Sequence, residues 1–368
     1  MRILYDHQVF SLQDVGGGTR YPYELLRHLA TLPNVHADLF LGLYRSVYPF
    51  HELNSAGTHV IGLRAPLPPG LARYALNEAI ESAASVVSGK YDIYHSTYFR
   101  FMPAVRRRAA VTTHHDVIYE ELPHLFPDAA RVIRFKTSLY ARADRIICIS
   151  EYSRQGLLRF YAVDPAKTCV VYHGPNRLPR SPEDAENLRR HARRKFVLYV
   201  GTRNFHKNFR VLLQAFHDSR LGDDYDLLTL GGGAFTEPEL AAVRSLELEA
   251  CVRCLPWVTD EFLAEAYAAA ALFVYPSLAE GFGAPPLEAM ALGSPTAVSR
   301  LTALPEICQD APFYFDPHDV GSMSRALVAG VTEGPARERA ITRGREVAAG
   351  YSWEKCSAET LAAYRACL

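Results

Sequence analysis

Short apolar runs alternate with longer segments of helical period along the chain, and this alternation occurs in two successive series. The order predicts βαβ units and therefore two α/β domains, each with a mainly parallel sheet. The predicted strands of the first series are 2–6, 37–43, 59–63, 93–96, 110–114, 145–150 and 169–173. Those of the second series are 196–200, 226–230, 252–255, 272–276, 296–299 and 313–315. Helices are predicted between several strands, for instance over 19–31, 129–143 and 207–218.

A polar, proline-containing stretch, 174–195, separates the two series and predicts a linker that runs into a short helix. The length of 368 residues suits two domains of ordinary size with a cleft between them. In doubly wound sheets, ligands bind beyond the carboxyl ends of the strands, where loops lead into helix N-termini. The residues that carry chemistry are therefore expected in those loops.

The strongest motif, 277–293, follows the fourth predicted strand of the second series. Gly281 and Gly283 let the backbone approach a ligand, and Pro285 and Pro286 preset the first turn of a helix. The loop therefore directs N–H groups and a positive helix end at whatever lies above it. This arrangement predicts an anion site that suits phosphate.

Two carboxylates belong to this motif. Glu288 is expected in the first helical turn, where it could accept hydrogen bonds from ribose hydroxyls, and Glu280 on the loop could face a sugar. The alternative is that Glu288 only complements the helix dipole and that Glu280 is a solvated loop residue. The two residues taken alone leave both interpretations open.

The run from Glu280 to Glu288 resembles, at nine consecutive positions, the acid, glycine, proline and second acid signature of glycosyltransferase family 4. Further segments that are similar to family elements lie at 5–29, 114–117, 149–153, 201–208 and 351–354. The resemblance implies a retaining enzyme with the GT-B fold, in which two Rossmann-like doubly wound domains face a central cleft and a C-terminal helix crosses back. Residues 1–173 with 351–368 are then the acceptor-binding domain, and 174–350 are the nucleotide-sugar-binding domain.

The resemblance also assigns roles to individual residues. Lys207, at the predicted start of a helix, neutralises the departing diphosphate, and Arg203 is its expected partner in that contact. The family often has an arginine beside the preceding glycine, whereas this position here is Thr202 or Arg203. His115 ends a predicted buried strand and hydrogen-bonds the donor sugar, while His114 should face the other way.

The predicted catalytic residues are thus His115 and Glu280. The predicted donor-binding residues are Gly17, Gly18, Arg203, Lys207, Val258, Phe282, Gly283, Ala284 and Glu288. For the glycines at 16–18 the alternative is an ordinary tight turn. Val258 lies where the family holds the base through backbone groups. The alternative for this segment is that it only places a packed Trp257 and does not bind the base.

The predicted function is transfer of a hexose from a UDP-glucose-like or GDP-mannose-like donor to a saccharide or lipid-linked acceptor, in cell-surface polysaccharide biosynthesis. No cofactor and no metal is expected, because Asp224 and Asp226, which resemble a metal-binding Asp-x-Asp motif, fall at the amino end of a strand. The alternatives are an epimerase or a phosphorylase of the same fold, and a sugar-nucleotide-binding protein without activity.

Charge and hydropathy add limits on partners and location. Basic and acidic residues number 40 each, so no overall field attracts nucleic acid. Residues 1–175 carry a net charge of +4 and the rest carry −4. This difference is small, so the charged residues are expected to form an ordinary solvated surface, and weak contact of the basic half with anionic lipid is the alternative. No apolar run approaches the roughly 18 to 20 residues that span a bilayer, and the N-terminus has no signal-peptide core. The expected location is cytoplasmic, or peripheral at the inner face of the membrane.

Overall fold

The computed structural model describes residues 1–14, 16–45, 48–55, 58–85, 90–99, 107–192 and 194–368. These residues divide into two compact units. Unit 1 comprises Met1–Gly174 and Ser352–Leu368, and unit 2 comprises Pro175–Tyr351. Each unit is built around its own sheet.

In unit 1, the strands of the described residues form one parallel sheet in the order β3-β2-β1-β4-β5-β6-β7. They are β1 Arg2–Tyr5, β2 His36–Tyr44, β3 Thr58–Arg64, β4 Tyr91–Ser96, β5 Arg107–His114, β6 Arg145–Cys148 and β7 Thr168–Val170. The helices are α1 Gln8–Leu12, α2 Gly17–Leu29, α3 Phe50–Ser55, α4 Leu71–Ser85, α5 Ile118–Glu121, α6 Ala129–Arg142, α7 Glu151–Phe160 and, at the C-terminus, α16 Trp353–Arg365. The order is that of a doubly wound fold.

In unit 2, the described strands form a second parallel sheet in the order β10-β9-β8-β11-β12-β13. They are β8 Phe196–Val200, β9 Asp226–Leu230, β10 Val252–Leu255, β11 Leu272–Tyr275, β12 Thr296–Ser299 and β13 Phe313–Phe315. The helices are α8 Pro182–His191, α9 Phe209–Asp218, α10 Glu237–Ser245, α11 Asp260–Ala269, α12 Ala284–Ala291, α13 Leu304–Cys308, α14 Val320–Val331 and α15 Pro335–Ala349. The strand order reverses between β8 and β11.

The buried strands explain why the hydropathy pattern was informative. All four residues of β11 are buried, as expected for a strand that is covered by helices on both faces. On α9 the buried residues Phe209, Leu212, Leu213 and Phe216 recur at helical spacing. Local pattern and tertiary burial therefore agree in both units.

The C-terminal helix packs in unit 1, as the fold-class prediction requires. Ser352 caps α16 by accepting a hydrogen bond from the Lys355 N–H, and Trp353, Cys356 and Tyr364 are buried in the core of unit 1. Tyr364 also shares a short hydrogen bond with Tyr5 of β1. The last helix is thus fixed to the first strand of the chain.

Several predicted boundaries are corrected. The strand predicted over 145–150 ends at Cys148, because Ser150 already caps α7 by accepting from the Ser153 N–H. The helix predicted from residue 207 begins at Phe209, because Asn208 has left-handed backbone angles (φ 58°, ψ 29°). None of the helices in the described ranges is long and apolar enough to cross a membrane.

Candidate donor site

The loops that follow β8 and β11 lie at the same edge of the unit 2 sheet, because these strands are adjacent and parallel. This edge is the point where the strand order reverses, the usual ligand position of a doubly wound sheet. The Leu278 N–H donates to the His206 carbonyl at 2.7 Å, which ties the two loops together. Residues that are about 70 positions apart in sequence are therefore held side by side.

The main result of this arrangement is a pair between Lys207 and Glu280. The Lys207 Nζ donates to Glu280 Oε1 at 2.5 Å and to the Tyr275 hydroxyl at 3.1 Å. The two charged side chains keep 18% and 11% of their surface exposed, so the pair is sheltered but reachable. Among the described residues, two of the three N–H donors of the ammonium have partners, and the third can bind a phosphate oxygen.

Lys207 does not start a helix, contrary to the sequence prediction. It ends a short 3₁₀ turn, Phe205–Lys207, and Asn208 then reverses the backbone before α9. The Asn208 amide donates to the Pro317 carbonyl at 2.8 Å, which fixes this reversal. The Lys207 ammonium group is therefore positioned by a tight turn and not by the first turn of the helix.

The glycine-rich part of the second loop leads directly into α12. Gly283 has φ of +107°, and a Cβ there would lie 2.6 Å from Leu304 Cδ2, so both conformation and space require glycine. Phe282 is buried with its ring against Tyr351, at 6.0 Å between centroids. Ala284 is the first residue of α12. The loop that was predicted to hold phosphate thus requires glycine at position 283 and leads into a helix N-terminus.

Glu288 lies deeper than predicted. It is the fifth residue of α12, and the first turn of this helix contains no acidic residue. Its carboxylate is 5% exposed and accepts hydrogen bonds from the Tyr267 hydroxyl, at 3.1 Å, and from the Asn176 amide. The helix-dipole interpretation loses its basis, because that effect falls off within the first turn.

Arg203 is engaged elsewhere. Its side chain is 3% exposed and pairs with Glu239 at 2.7 Å. The guanidinium also donates to the carbonyls of Gly231, Gly233 and Ala234, each at 2.9 Å. A guanidinium with its charge paired and its donors used holds a glycine loop in place. This geometry does not favour the predicted contact of Arg203 with a diphosphate.

The loop between β10 and α11 contains Trp257 and Val258. Trp257 is 76% exposed, so the alternative of a packed tryptophan is wrong. Val258 is half-buried and is followed by Thr259, whose side chain caps α11. Val258 follows β10 at the carboxyl edge of the sheet, and β10 pairs with β9, the strand that leads to the glycine loop.

In unit 1, His115 lies one residue beyond β5 and is half-buried. Its ring meets the Tyr21 ring edge-on at 5.5 Å, and Tyr21 stacks on His173 at 4.4 Å. Burial lowers the pKa of His115 to about 4, since the nearby Lys136 adds to a lowering that Asp116 only partly opposes. The imidazole is therefore neutral near pH 7 and can donate or accept one hydrogen bond.

His114 points elsewhere, as strand alternation predicts. Its Nδ1 is hydrogen-bonded to the Tyr140 hydroxyl at 2.6 Å, and the side chain is buried. Gly17 and Gly18, predicted to precede a helix, instead form the first turn of α2. A Cβ on Gly17 would meet no described atom within 4 Å, so ligand atoms can approach there.

The apparent Asp-x-Asp motif has a structural explanation. Asp226 begins β9 at its amino end, as predicted, and is fully buried. Its carboxylate accepts from Arg194 at 2.9 Å and from Arg253 at 3.0 Å. Asp224 is exposed. Asp226 is thus an anchor of the sheet on the edge opposite to the Lys207 loop.

Sequence reasoning missed the aromatic and amide partners of the site. Tyr275 contacts Lys207, and Tyr267 and Asn176 contact Glu288. Tyr275 ends a strand directly before the predicted loop, so its position gave a signal. Asn176 and Tyr267 are distant in sequence from Glu288, so no pattern in the sequence indicated that they contact it.

Comparisons with known proteins show the family of this chain. Residues 15–177 match the family model described as Glycosyltransferase Family 4, and residues 181–347 match that of Glycosyl transferases group 1. The chain is 32% identical to the O-antigen chain mannosyltransferase B of Escherichia coli, over 99% of this chain and 100% of that protein. The chain belongs to glycosyltransferase family 4. The predicted family and enzyme class are therefore confirmed.

Solved structures place this family 4 glycosyltransferase in the GT-B fold. Sucrose-phosphate synthase from Thermosynechococcus elongatus is similar with a TM-score of 0.78 and 21% identity, covering 99% of this chain and 98% of that one. Anabaena Alr3699/HepE, solved in complex with UDP-glucose, is similar with a TM-score of 0.75 and 18% identity, covering 98% and 99%. The predicted fold class of two Rossmann-like parallel-sheet domains is confirmed.

Proposed function

We propose that this enzyme transfers a mannosyl residue from a nucleotide-diphosphate mannose to a saccharide hydroxyl during assembly of a cell-surface polysaccharide. The observation that carries the proposal is the meeting of Lys207 and Glu280 beside the N-terminus of α12. A sheltered ammonium and a helix N-terminus at one sheet edge suit a diphosphate. The mannosyl group is proposed because the full-length relative in Escherichia coli is named as a mannosyltransferase.

Within unit 2, the residues divide the donor between them. Lys207 is proposed to bind the diphosphate and to stabilise the charge that develops as the glycosidic bond breaks. Glu288 is proposed to accept hydrogen bonds from ribose hydroxyls, and the backbone at Val258 to hold the base. Glu280 pairs with Lys207 and is proposed to face the sugar when the donor is bound.

Unit 1 is proposed to bind the acceptor and to supply His115. The neutral imidazole suits a hydrogen bond to a sugar hydroxyl and not the neutralisation of a phosphate. We propose retention through same-face attack, in which the departing phosphate takes the proton of the acceptor hydroxyl. The acceptor oxygen then forms its bond to the anomeric carbon as the phosphate leaves.

The decisive experiment incubates the protein with GDP-mannose, UDP-glucose and GDP-glucose, each with a panel of mannose-containing saccharides as acceptors. We expect transfer from GDP-mannose above the others and a product with the anomeric configuration of the donor, as read from NMR coupling constants. Transfer from UDP-glucose alone would contradict the mannosyl assignment, and an inverted product would contradict the proposed mechanism.

Replacing Glu288 with alanine should weaken binding of the nucleoside diphosphate by about 1.5 to 3 kcal/mol, because a charged hydrogen-bond acceptor is lost. Isothermal titration calorimetry measures this change. Tyr267→Phe is the matched control, since it removes one intramolecular partner of Glu288 but keeps the carboxylate. Equal affinity of Glu288→Ala and the parent protein would leave Glu288 with a packing role.

Replacing His115 with alanine should lower kcat while leaving the affinity for the nucleoside diphosphate nearly unchanged, because its proposed partner is the sugar. The pH profile of the parent enzyme should show no loss of activity between pH 8 and 6 that depends on His115, since its pKa lies at about 4. The exposed His124 serves as control for a histidine substitution on the same unit. A parallel loss of diphosphate affinity in His115→Ala would refute the sugar assignment.

Transfer should need neither magnesium nor manganese, because Lys207 and the N-terminus of α12 supply the positive potential at the diphosphate. Initial rates measured with EDTA should equal those measured with added magnesium. Inhibition by EDTA that magnesium or manganese relieves would assign the charge-stabilising role to a metal.

A further inference from the structure

Three side chains outside the donor site meet inside unit 1: His7, Glu78 and Glu81. His7 follows β1 and precedes α1, while the glutamates are three residues apart on α4 and so project from one helix face. The His7 Nε2 lies 3.4 Å from Glu81 Oε2 and 3.6 Å from Glu78 Oε2. One nitrogen and two carboxylates therefore face the same small space.

This cluster is buried, and among the described residues no lysine or arginine forms an ion pair with its glutamates. The side chains of His7 and Glu81 are 0% and 3% exposed, and that of Glu78 is 21% exposed. Among the described residues, neither the His7 Nε2 nor any carboxylate oxygen of the two glutamates has a hydrogen-bond partner. Two carboxylates held this way are costly unless protons or a cation neutralise them. Burial, together with Asp6 and Glu78, raises the pKa of Glu81 well above its ordinary value.

The other ring nitrogen of His7 is already oriented. Its Nδ1 lies 2.9 Å from the Ser11 hydroxyl, which accepts a hydrogen bond from the Asn77 amide at 2.8 Å. When Nδ1–H donates to Ser11, the lone pair of Nε2 points at the glutamates. Metal-binding histidines are held in this way, with the second nitrogen donating to a neighbouring group.

The distances fit one cation of defined size. Ligand atoms of a tetrahedral zinc ion, with bonds of about 2.0 to 2.2 Å, lie roughly 3.3 to 3.6 Å apart. The separations of 3.4 and 3.6 Å from His7 Nε2 to the two carboxylates lie in this range, and the ligand atoms of all three residues lie within 4.8 Å of one another. A nitrogen ligand with two carboxylates also favours zinc over magnesium, which prefers oxygen ligands alone.

We propose that His7, Glu78 and Glu81 bind one Zn²⁺-like divalent cation, with water as the fourth ligand. The ion would connect the short segment between β1 and α1 to α4, which lies about 70 residues further along the chain. It would neutralise the two carboxylates. The site belongs to unit 1 and acts on stability, so it is separate from the diphosphate chemistry of unit 2.

The test uses tag-free, full-length protein, because tag histidines bind metal. The protein is stripped with EDTA, incubated with Zn²⁺ or Mg²⁺, passed through gel filtration and analysed for metal by mass spectrometry. We expect one zinc per chain, no retained magnesium, and a rise in the melting temperature with zinc. Substitution with Co²⁺ should give the visible absorption of a tetrahedral site, without the near-ultraviolet band of thiolate ligands.

Glu81→Gln should weaken zinc binding at least tenfold and abolish the zinc-dependent rise in melting temperature. Glu354→Gln is the matched control, because His28 and Glu354 form a histidine–carboxylate pair at 3.7 Å on the same unit. Absence of retained zinc in the parent protein, or equal zinc binding by Glu81→Gln, would overturn the proposal. If Glu81→Gln does not fold, the cobalt spectrum of the parent protein tests the proposal instead. A spectrum without the absorption bands of tetrahedral Co²⁺ would overturn the proposed site.

Discussion

Replacing Lys207 with methionine should lower kcat/KM by about 10²- to 10³-fold, the cost of removing one preorganised charge-stabilising donor from an active site. Methionine keeps the length of the side chain but not its charge. The loss should appear in kcat and in diphosphate affinity together, because the ammonium is proposed to bind the diphosphate before and during its departure. Steady-state kinetics and calorimetry with the nucleoside diphosphate measure the two effects.

Lys195→Met is the control for this experiment. Lys195 directly precedes β8, at the opposite end of the strand from the Lys207 loop, and is 67% exposed. Its substitution should leave kcat/KM unchanged. Lys207→Arg, which keeps a positive charge near Glu280, should retain part of the activity. Full activity of Lys207→Met in a folded protein would remove the central element of the proposed donor site.

Asp226→Asn should lower the free energy of unfolding of unit 2 by about 3 kcal/mol, because it leaves Arg194 and Arg253 without their buried charge partner. The estimate takes the lower end of the range for buried pairs, since the two arginines are 35% and 29% exposed. For a domain of this size the loss corresponds to roughly 6 to 12 °C in melting temperature. Differential scanning calorimetry resolves this change.

Asp224→Asn provides the comparison within the same apparent motif. Asp224 is exposed, so its substitution should change stability by no more than about 0.5 kcal/mol. Both variants should transfer sugar at normal rates below their melting temperatures, because neither residue lies at the ligand edge of the sheet. Loss of transfer in folded Asp224→Asn would indicate that this motif binds a catalytic metal after all.

The expectation that Asp226 binds no metal left its role in stability open. Position in the βαβ pattern was enough to place it at the amino end of β9, away from the donor loops. Its importance for stability was not visible, because Arg194 and Arg253 reach it from separate segments of the chain. The spacing of two aspartates in a sequence does not show whether a metal ion or an arginine side chain neutralises their charge.

Hydropathy and turn residues alone determined the two α/β domains, most strands of both sheets and the loops that carry the donor motif. They could do so because strand alternation, helical period and glycine–proline signals are local properties of the chain. The strands β8, β9, β10, β12 and β13 have the predicted bounds. The resemblance to the family added the expected roles of the residues in those loops.

Only the tertiary structure decided which side chains meet. It joined Lys207 to Glu280 and Tyr275, buried Glu288 against Tyr267, and directed Arg203 to Glu239. It also brought His7 to two glutamates of α4 that no motif connects with it. The physical reason is that a charged side chain pairs with whatever the packed helices and strands place within reach, and for these pairs that partner comes from a distant part of the chain.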